Sequence, residues 1–153
     1  MNMLDILTFG LEGQRYGLLS PTVAAVCRMV TLTPLPKAPD IVEGLINFRG
    51  ILAPVLNMRA RFGLPARPAS HTDYLIVAHA GPRLAAVHVE QAPELVSIAA
   101  EALEDIQKVV SGTAYVAGVG MLADGLVLVH DLASFLTQAE SEALTEAVAG
   151  YVA

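Results

Sequence analysis

Apolar residues along this chain fall in short runs broken by glycine, proline and charged residues, the rhythm of strands rather than of helices. The clearest case is Gly44 to Gly63, GLINFRGILAPVLNMRARFG. Two apolar segments, Gly44–Phe48 and Ile51–Asn57, flank the pair Arg49-Gly50. Runs of this length bounded by turn residues predict two buried strands joined by a tight hairpin. Gly50 suits the left-handed backbone that such a turn needs. Arg49 then stands at the tip, held on both sides by the sheet and free to point outward, a good place for a contact residue. Upstream, in LTPLPKAPDIVEG, Pro34, Pro36 and Pro39 enforce an extended, non-helical approach. Pro54 cannot donate a ladder hydrogen bond, which predicts an edge or bulge position for it.

The pattern repeats weakly. Asp5-Ile-Leu-Thr-Phe with Gly13-Gln-Arg15 parallels Asp73-Tyr-Leu-Ile-Val with Gly81-Pro-Arg83, at a gapless shift of 68 positions. Gly44, Arg49-Gly50-Ile51 and Val55-Leu-Asn57-Met58 parallel Gly118, Asp124-Gly125-Leu126 and Val129-His-Asp131-Leu132, at a shift of 74 or 75. Each unit reads as hairpin, single strand, loop, second hairpin and helical turn. About five strands per unit with closely spaced turn signals favour small β-barrels over an α/β fold. Duplication and chance resemblance of apolar strands both produce such a match; the repeated order of elements favours duplication. The approximate units are 1–67 and 68–153, with Pro65–Ala69 as the boundary.

The tail changes period. Thr137-Gln-Ala-Glu140 is a capping-box pattern, in which the threonine hydroxyl caps and the glutamate reaches back. Leu144, Ala147, Val148 and Tyr151 then share one face, predicting a helix over 138–150 docked on a barrel.

Composition narrows the class. At 153 residues the chain suits one domain or two very small subdomains sharing a core. Hydrophobic residues make up 54% and charged residues 16%, so core material is plentiful; with no Trp and eight Phe and Tyr it must be mainly Val, Leu, Ile and Ala. No apolar run reaches the ~20 residues of a membrane span, and no signal-peptide pattern opens the chain, so a cytoplasmic protein without direct membrane insertion is expected. The single Cys27 excludes an internal disulfide framework and is expected to be a buried, inert thiol. The net charge of −6 hides a balance of +3 over residues 1–67 and −9 over 68–153. That polarity either orients the protein against a partner or marks two ordinary solvated surfaces. It argues against nucleic acid, which would favour a basic stripe.

Chemistry is hard to find. His71, His79, His88 and His130 are scattered without ligand spacing, so no metal is expected. His130 and Asp131, adjacent on a strand, point to opposite faces. No nucleophile elbow or phosphate-binding glycine loop occurs. The serines sit in turn and capping contexts, and Glu101, Glu104 and Asp105 read as a solvated acidic run. No catalytic residue and no cofactor is expected.

The hairpin and its surroundings resemble the CheW family, the coupling proteins of bacterial chemotaxis. Members carry a Pro-rich loop, then G-x-x-N-x-R-G, then an apolar strand ending V-x-D-L-R. Here that reads Pro36, Pro39, Gly44, Asn47, Arg49, Gly50, Val55, Asn57, Met58 and Arg59. Leu7-Thr8-Phe9 with Tyr16-Gly17, Val89-Glu90, and Tyr115-Val116-Ala117-Gly118 resemble further family segments in the right order. The resemblance covers nearly the whole chain. It implies a mainly β fold: two five-stranded SH3-like β-barrels packed side by side, with short helical turns and a C-terminal α-helix, in a single CheW-like domain. It also implies a scaffold whose partners are the regulatory domain of the histidine kinase CheA and the cytoplasmic tip of chemoreceptors, with self-association in rings. Partner-binding residues are then expected at Arg49, Gly44, Asn47, Phe48 and Gly50, with Val23 and Ala25 beside them.

Three departures stand out. Ala25 occupies a place where the family usually has Glu, Asn57 replaces the usual strand-ending Asp, and Glu90 replaces another Asp. In the family that Glu can lie near the hairpin Arg, so Ala25 is expected to leave Arg49 without a local partner. Ala25→Glu is expected to leave folding intact and weaken partner binding. The departures suggest a coupler for a non-standard chemosensory system. The rival reading is a small-ligand or oligomer-binding β-barrel unrelated to signalling, which would need an aromatic platform or convergent polar groups.

Overall fold

The computed structural model describes residues 3–99, 103–104, 116–122, 125–132 and 135–152. Tyr115, Glu101, Asp105, Ser111 and Ser134 lie outside the described residues. The strands are β1 (Met3–Leu11), β2 (Gln14–Leu19), β3 (Val23–Arg28), β4 (Val42–Phe48), β5 (Ile51–Leu56), β6 (Tyr74–Ala80), β7 (Arg83–Val89), β8 (Glu94–Ala99), the two-residue β9 (Leu103–Glu104), β10 (Val116–Leu122) and β11 (Gly125–His130). A one-turn helix α1 (Met58–Arg61) follows β5, and α2 (Gln138–Val152) ends the chain. Among the described residues no helix is long and apolar enough to cross a membrane.

The strands form two sheets, β8-β1-β2-β11-β10-β9 and β3-β6-β7-β5-β4, the two SH3-like barrels of the fold. The barrels do not follow the halves of the chain. The opening hairpin β1–β2 lies with β8, β10 and β11, whereas β6–β7 lies with β3, β4 and β5. In each sheet the opening hairpin joins the closing one through a parallel pair, β2–β11 or β7–β5. Both closing hairpins break register at the same place, between Val42 and Gly44 and between Val116 and Gly118. Gly44 opposite Val55 thus matches Gly118 opposite Val129, a shift of 74.

For the opening hairpins the structure corrects the sequence alignment. Ile6 opposite Leu19 matches Leu75 opposite His88, a shift of 69 rather than 68. The turn glycine is the second loop residue in one hairpin, Gly13, and the first in the other, Gly81. Aligning the glycines slips the strands by one residue, which would exchange their inward and outward faces.

Pro54 also departs from expectation, since β5 is flanked by β7 and β4 and is not an edge. Pro54 lies opposite Leu45 in the ladder with β4, and the parallel pairing to β7 begins only at Val55. In a two-residue hairpin whose first pair is Phe48–Ile51, the position of Pro54 turns its nitrogen away from β4. The missing donor therefore falls just before the β7 ladder starts.

The seam between the barrels is the largest apolar cluster. It joins Phe9, Leu11, Tyr16 and Leu18 to Leu56, Ile76, Ala78, Ala85, Val87 and Val89, with Leu132 and Phe135. Under the shift of 69, Phe9 corresponds to Ala78 and Tyr16 to Ala85. Large rings on one sheet meet small residues on the other, which lets the two faces interdigitate at interior density. The scarce aromatics are concentrated here: Tyr16 stacks on Phe62 at 5.1 Å between ring centroids, and His130 lies 5.3 Å from Phe62 and 5.9 Å from Phe135.

The capping box of the tail forms as its residues dictate. Thr137 Oγ1 accepts from the Glu140 backbone N–H at 3.1 Å, and Glu140 Oε1 accepts from the Thr137 N–H at 2.9 Å. Leu144, Ala147 and Val148 then pack on Leu35, Ala38, Val42 and Leu45, closing one side of the second sheet.

Candidate partner-binding site

The β4–β5 hairpin turns through Arg49 and Gly50, both left-handed at φ 52° and 87°. Two consecutive positive φ values match the right-handed twist of the flanking strands. Such a conformation is unfavourable for arginine and natural for glycine. Asn47 helps to hold it, its Oδ1 accepting from the Gly50 N–H at 2.7 Å. Arg49 is exposed, and its guanidinium lies 4.8 Å from the centroid of the Phe48 ring. Among the described residues it meets no carboxylate. The hairpin therefore presents a fixed cation stacked on a half-buried ring, with Ile51 beside it 53% exposed.

The other expected residues separate. Gly44 is buried beneath the Pro-rich loop, where a Cβ would lie 2.8 Å from Thr33 O and 3.0 Å from Leu32 Cβ. It allows Thr33 and Leu45 to exchange backbone hydrogen bonds of 2.9 and 2.7 Å, a structural part. Val23 packs on the seam cluster, whereas Ala25, beyond a register break in β3, packs with Cys27 and Phe48 on the interior of the second barrel. Ala25 is thus half-buried on the inner face and not on open surface beside the tip. A glutamate there would set a carboxylate against Ile46, Ala53 and Val77, so the expectation that Ala25→Glu leaves folding intact gives way to a cost in stability.

In the first sheet the residue equivalent to Ala25 is Glu94: Glu94 faces Thr8 as Ala25 faces Val77. Glu94 Oε2 accepts from Arg15 at 3.0 Å. The two barrels therefore differ in charge at matching places.

Of the two other expected departures, Asn57 caps α1 and Glu90 joins an ionic cluster that sequence reasoning missed. Asn57 keeps the capping role, its Oδ1 accepting from the Ala60 N–H at 3.2 Å. Arg59 places Nε 2.6 Å from Glu90 Oε2 and a terminal nitrogen 2.7 Å from Glu12 Oε1, while Arg67 reaches Glu90 at 2.7 Å. Glu12 belongs to the β1–β2 turn and Arg59 to the chain after β5, so the cluster fastens one barrel to the other. Hydrogen bonds from Arg59 hold the Glu90 carboxyl below its ordinary range. A further pair, Arg61–Glu140, anchors α2. Burial alone would raise the Glu140 carboxyl, and the Thr137 N–H with Arg61 reverses that. Burial pushes up the half-buried Cys27 thiol, making a thiolate less accessible. No group of three or more His, Cys, Asp and Glu placed to hold a metal occurs among the described residues.

The arrangement offers a rigid, exposed, cationic tip on a closed β scaffold. A CheW-like domain model matches residues 5–140. The chain belongs to the CheW-like domain family. A chemotaxis protein CheW of Klebsiella aerogenes is 25% identical over 147 residues, covering 95% of this chain and 88% of that protein. One of Treponema pallidum is 23% identical over 146 residues, covering 92% and 86%. The crystal structure of the scaffolding protein TtCheW from Thermoanaerobacter tengcongensis superposes with a TM-score of 0.76 at 29% identity, covering 84% of this chain and 89% of that one. In the hairpin itself Gly44 admits the loop, Asn47 holds the turn, and Arg49 is displayed.

Proposed function

We propose that this chain is a chemosensory scaffold, a CheW-like coupling protein that holds the regulatory domain of a CheA-type histidine kinase against the cytoplasmic tip of a chemoreceptor. Its role is positional and its place of action the cytoplasm. Receptor conformation biases the kinase through the scaffold, which makes and breaks no covalent bond itself. The observation that carries this reading is the exposed Arg49 on a conformationally fixed turn, in a chain whose family model spans both barrels. A preorganised cation costs little ordering on binding and fixes orientation against an acidic partner surface. Arg49, Phe48, Asn47 and Gly50 form the contact tip. Gly44 supports it from below, and Ala25 supports Phe48 from inside the barrel. Assembly into rings with the kinase domain follows the same logic, with one barrel facing the kinase and the other closing the ring.

The ligand-binding-barrel alternative is not favoured: Ala53, Val55, Leu75, Val77 and Ala86, all at 0% exposure, fill the interior of the second barrel. Calorimetry of the full chain with the cognate kinase regulatory domain, and separately with a receptor-tip fragment, tests the proposal. Wild type binds at least one of them and Arg49→Glu weakens that binding. A chain that binds neither refutes the coupling role.

A further inference from the structure

His88 is held on both ring nitrogens by carboxylates. Its Nε2 lies 2.7 Å from Asp73 Oδ2, and its Nδ1 lies 2.9 and 3.1 Å from the two oxygens of Glu43. The side chains are almost out of water, 9% exposed for His88, 2% for Asp73 and 18% for Glu43. The three come from separate elements. His88 is on β7, Asp73 ends the Ser70–Asp73 turn before β6, and Glu43 is on β4. Glu43 falls at the register break of β4, where a bulge re-aims a side chain. Described pairing of β5 to β7 covers only Val55–Ala86 and Leu56–Val87. Glu43 therefore reaches past the end of that pairing to His88, bridging the outermost strand of the sheet to its centre.

A neutral imidazole carries one proton and would turn a bare lone pair toward one of two carboxylates. Only the doubly protonated ring donates to both. We infer that Glu43, His88 and Asp73 form a proton-held clasp: the imidazolium ties β4 and the Ser70–Asp73 turn to β7, and loss of one ring proton to water frees β4 from that tie.

The charges acting on the ring are Glu43 and Asp73. Asp73 is in turn fixed by the Ser70 N–H at 2.9 Å and feels Arg67. Burial works against the charged ring, and the bonds to Glu43 and Asp73 outweigh it, so His88 holds its proton above its ordinary value. A group whose folded value is raised stabilises fully below the unfolded value of about 6.5, and that contribution is lost as pH rises through the folded value. Asp73 is held below its ordinary range and contributes in the opposite sense, losing its part as pH falls. The clasp is therefore closed at and below the ordinary histidine value and opens as pH rises through the raised folded value. If the β4–β5 hairpin is the contact tip proposed above, opening loosens the strand that carries Arg49; this last consequence alone rests on that reading.

The test needs no partner. Nitrogen-15 NMR of the labelled full chain follows the His88 ring through pH, alongside hydrogen exchange of β4 amides against those of β6, corrected for intrinsic base catalysis. The expected result is a His88 midpoint above the ordinary value, and β4 protection falling several-fold relative to β6 across that midpoint. Glu43→Gln lowers the midpoint and removes the extra pH dependence of β4; His88→Asn abolishes it. A neutral His88 at or below its ordinary midpoint overturns the inference. So does an imidazolium whose loss leaves the β4-to-β6 ratio unchanged, or the same pH dependence in Glu43→Gln. Failure of kinase or receptor binding leaves these readings untouched.

Discussion

Gly44→Ala tests whether this motif glycine serves contact or construction. The added methyl would stand 2.8 Å from the Thr33 carbonyl oxygen and 3.0 Å from Leu32 Cβ. The closer neighbour is backbone and cannot rotate away, so the Pro-rich loop must shift off β4. Overpacking of this kind costs about 1–3 kcal/mol. The shift also strains the reciprocal Thr33–Leu45 hydrogen bonds of 2.9 and 2.7 Å, each worth about 0.5–1.5 kcal/mol net. Against this, removing a glycine stiffens the unfolded chain by about 0.4–1 kcal/mol. The balance is a destabilisation of about 1–3 kcal/mol, or roughly 3–10 °C in melting temperature for a chain of this size. Urea unfolding monitored by circular dichroism, with calorimetric melting beside it, gives both numbers. Partner affinity extrapolated to the folded fraction should stay near wild type. Equal or higher stability, or lost binding at full stability, would refute the reasoning and return Gly44 to the contact surface.

Arg49→Glu should weaken binding to the kinase domain or receptor tip by about 1–3 kcal/mol in calorimetry, with an almost unchanged melting temperature. Strong unfolding instead would mean that the arginine secures the turn. Thr137→Ala removes the cap of α2 and should cost about 0.5–2 kcal/mol by urea unfolding, with Thr137→Ser recovering most of it. Glu90→Gln should lower the melting temperature at neutral pH. Because the Glu90 carboxyl is held below its ordinary range, its contribution is present above that range and fades as pH falls. Wild type and variant should thus converge in acid; a gap that persists or widens there would show that the charge on Glu90 is not what stabilises.

Local features were legible because local physics decides them. The Arg49-Gly50 turn follows from one dipeptide between apolar runs, and the α2 cap from Thr137 and Glu140 three residues apart. The order of strands within each repeat was readable for the same reason. Which hairpin joins which sheet was not, since β2–β11 and β7–β5 pair segments far apart in the chain. The slip between shifts of 68 and 69 arose because glycine identity outweighed the apolar alternation at the turn. Glu12, Arg59 and Glu90, or Glu43, Asp73 and His88, carry no mutual signal in sequence; each residue alone reads as an ordinary polar position. Ala25 was read as surface because its neighbours Ala24 and Val26 are apolar too, so alternation could not tell inner face from outer.

The traded hairpins bear on how such a molecule could exist with half its length. A lone repeat would own an opening hairpin that belongs in a neighbour's sheet and a closing hairpin awaiting someone else's strands. It could close no barrel by itself. Two copies exchanging hairpins across a twofold axis would rebuild the same pair of sheets, the geometry of a domain-swapped dimer. In the present chain that exchange is made within one polypeptide, and the two sides of the seam are unequal, with Phe9 and Tyr16 on one side and Ala78 and Ala85 on the other. A symmetric swapped pair would present two equal faces, whereas this chain presents two unequal ones, one property a coupler needs in order to hold two different neighbours at once.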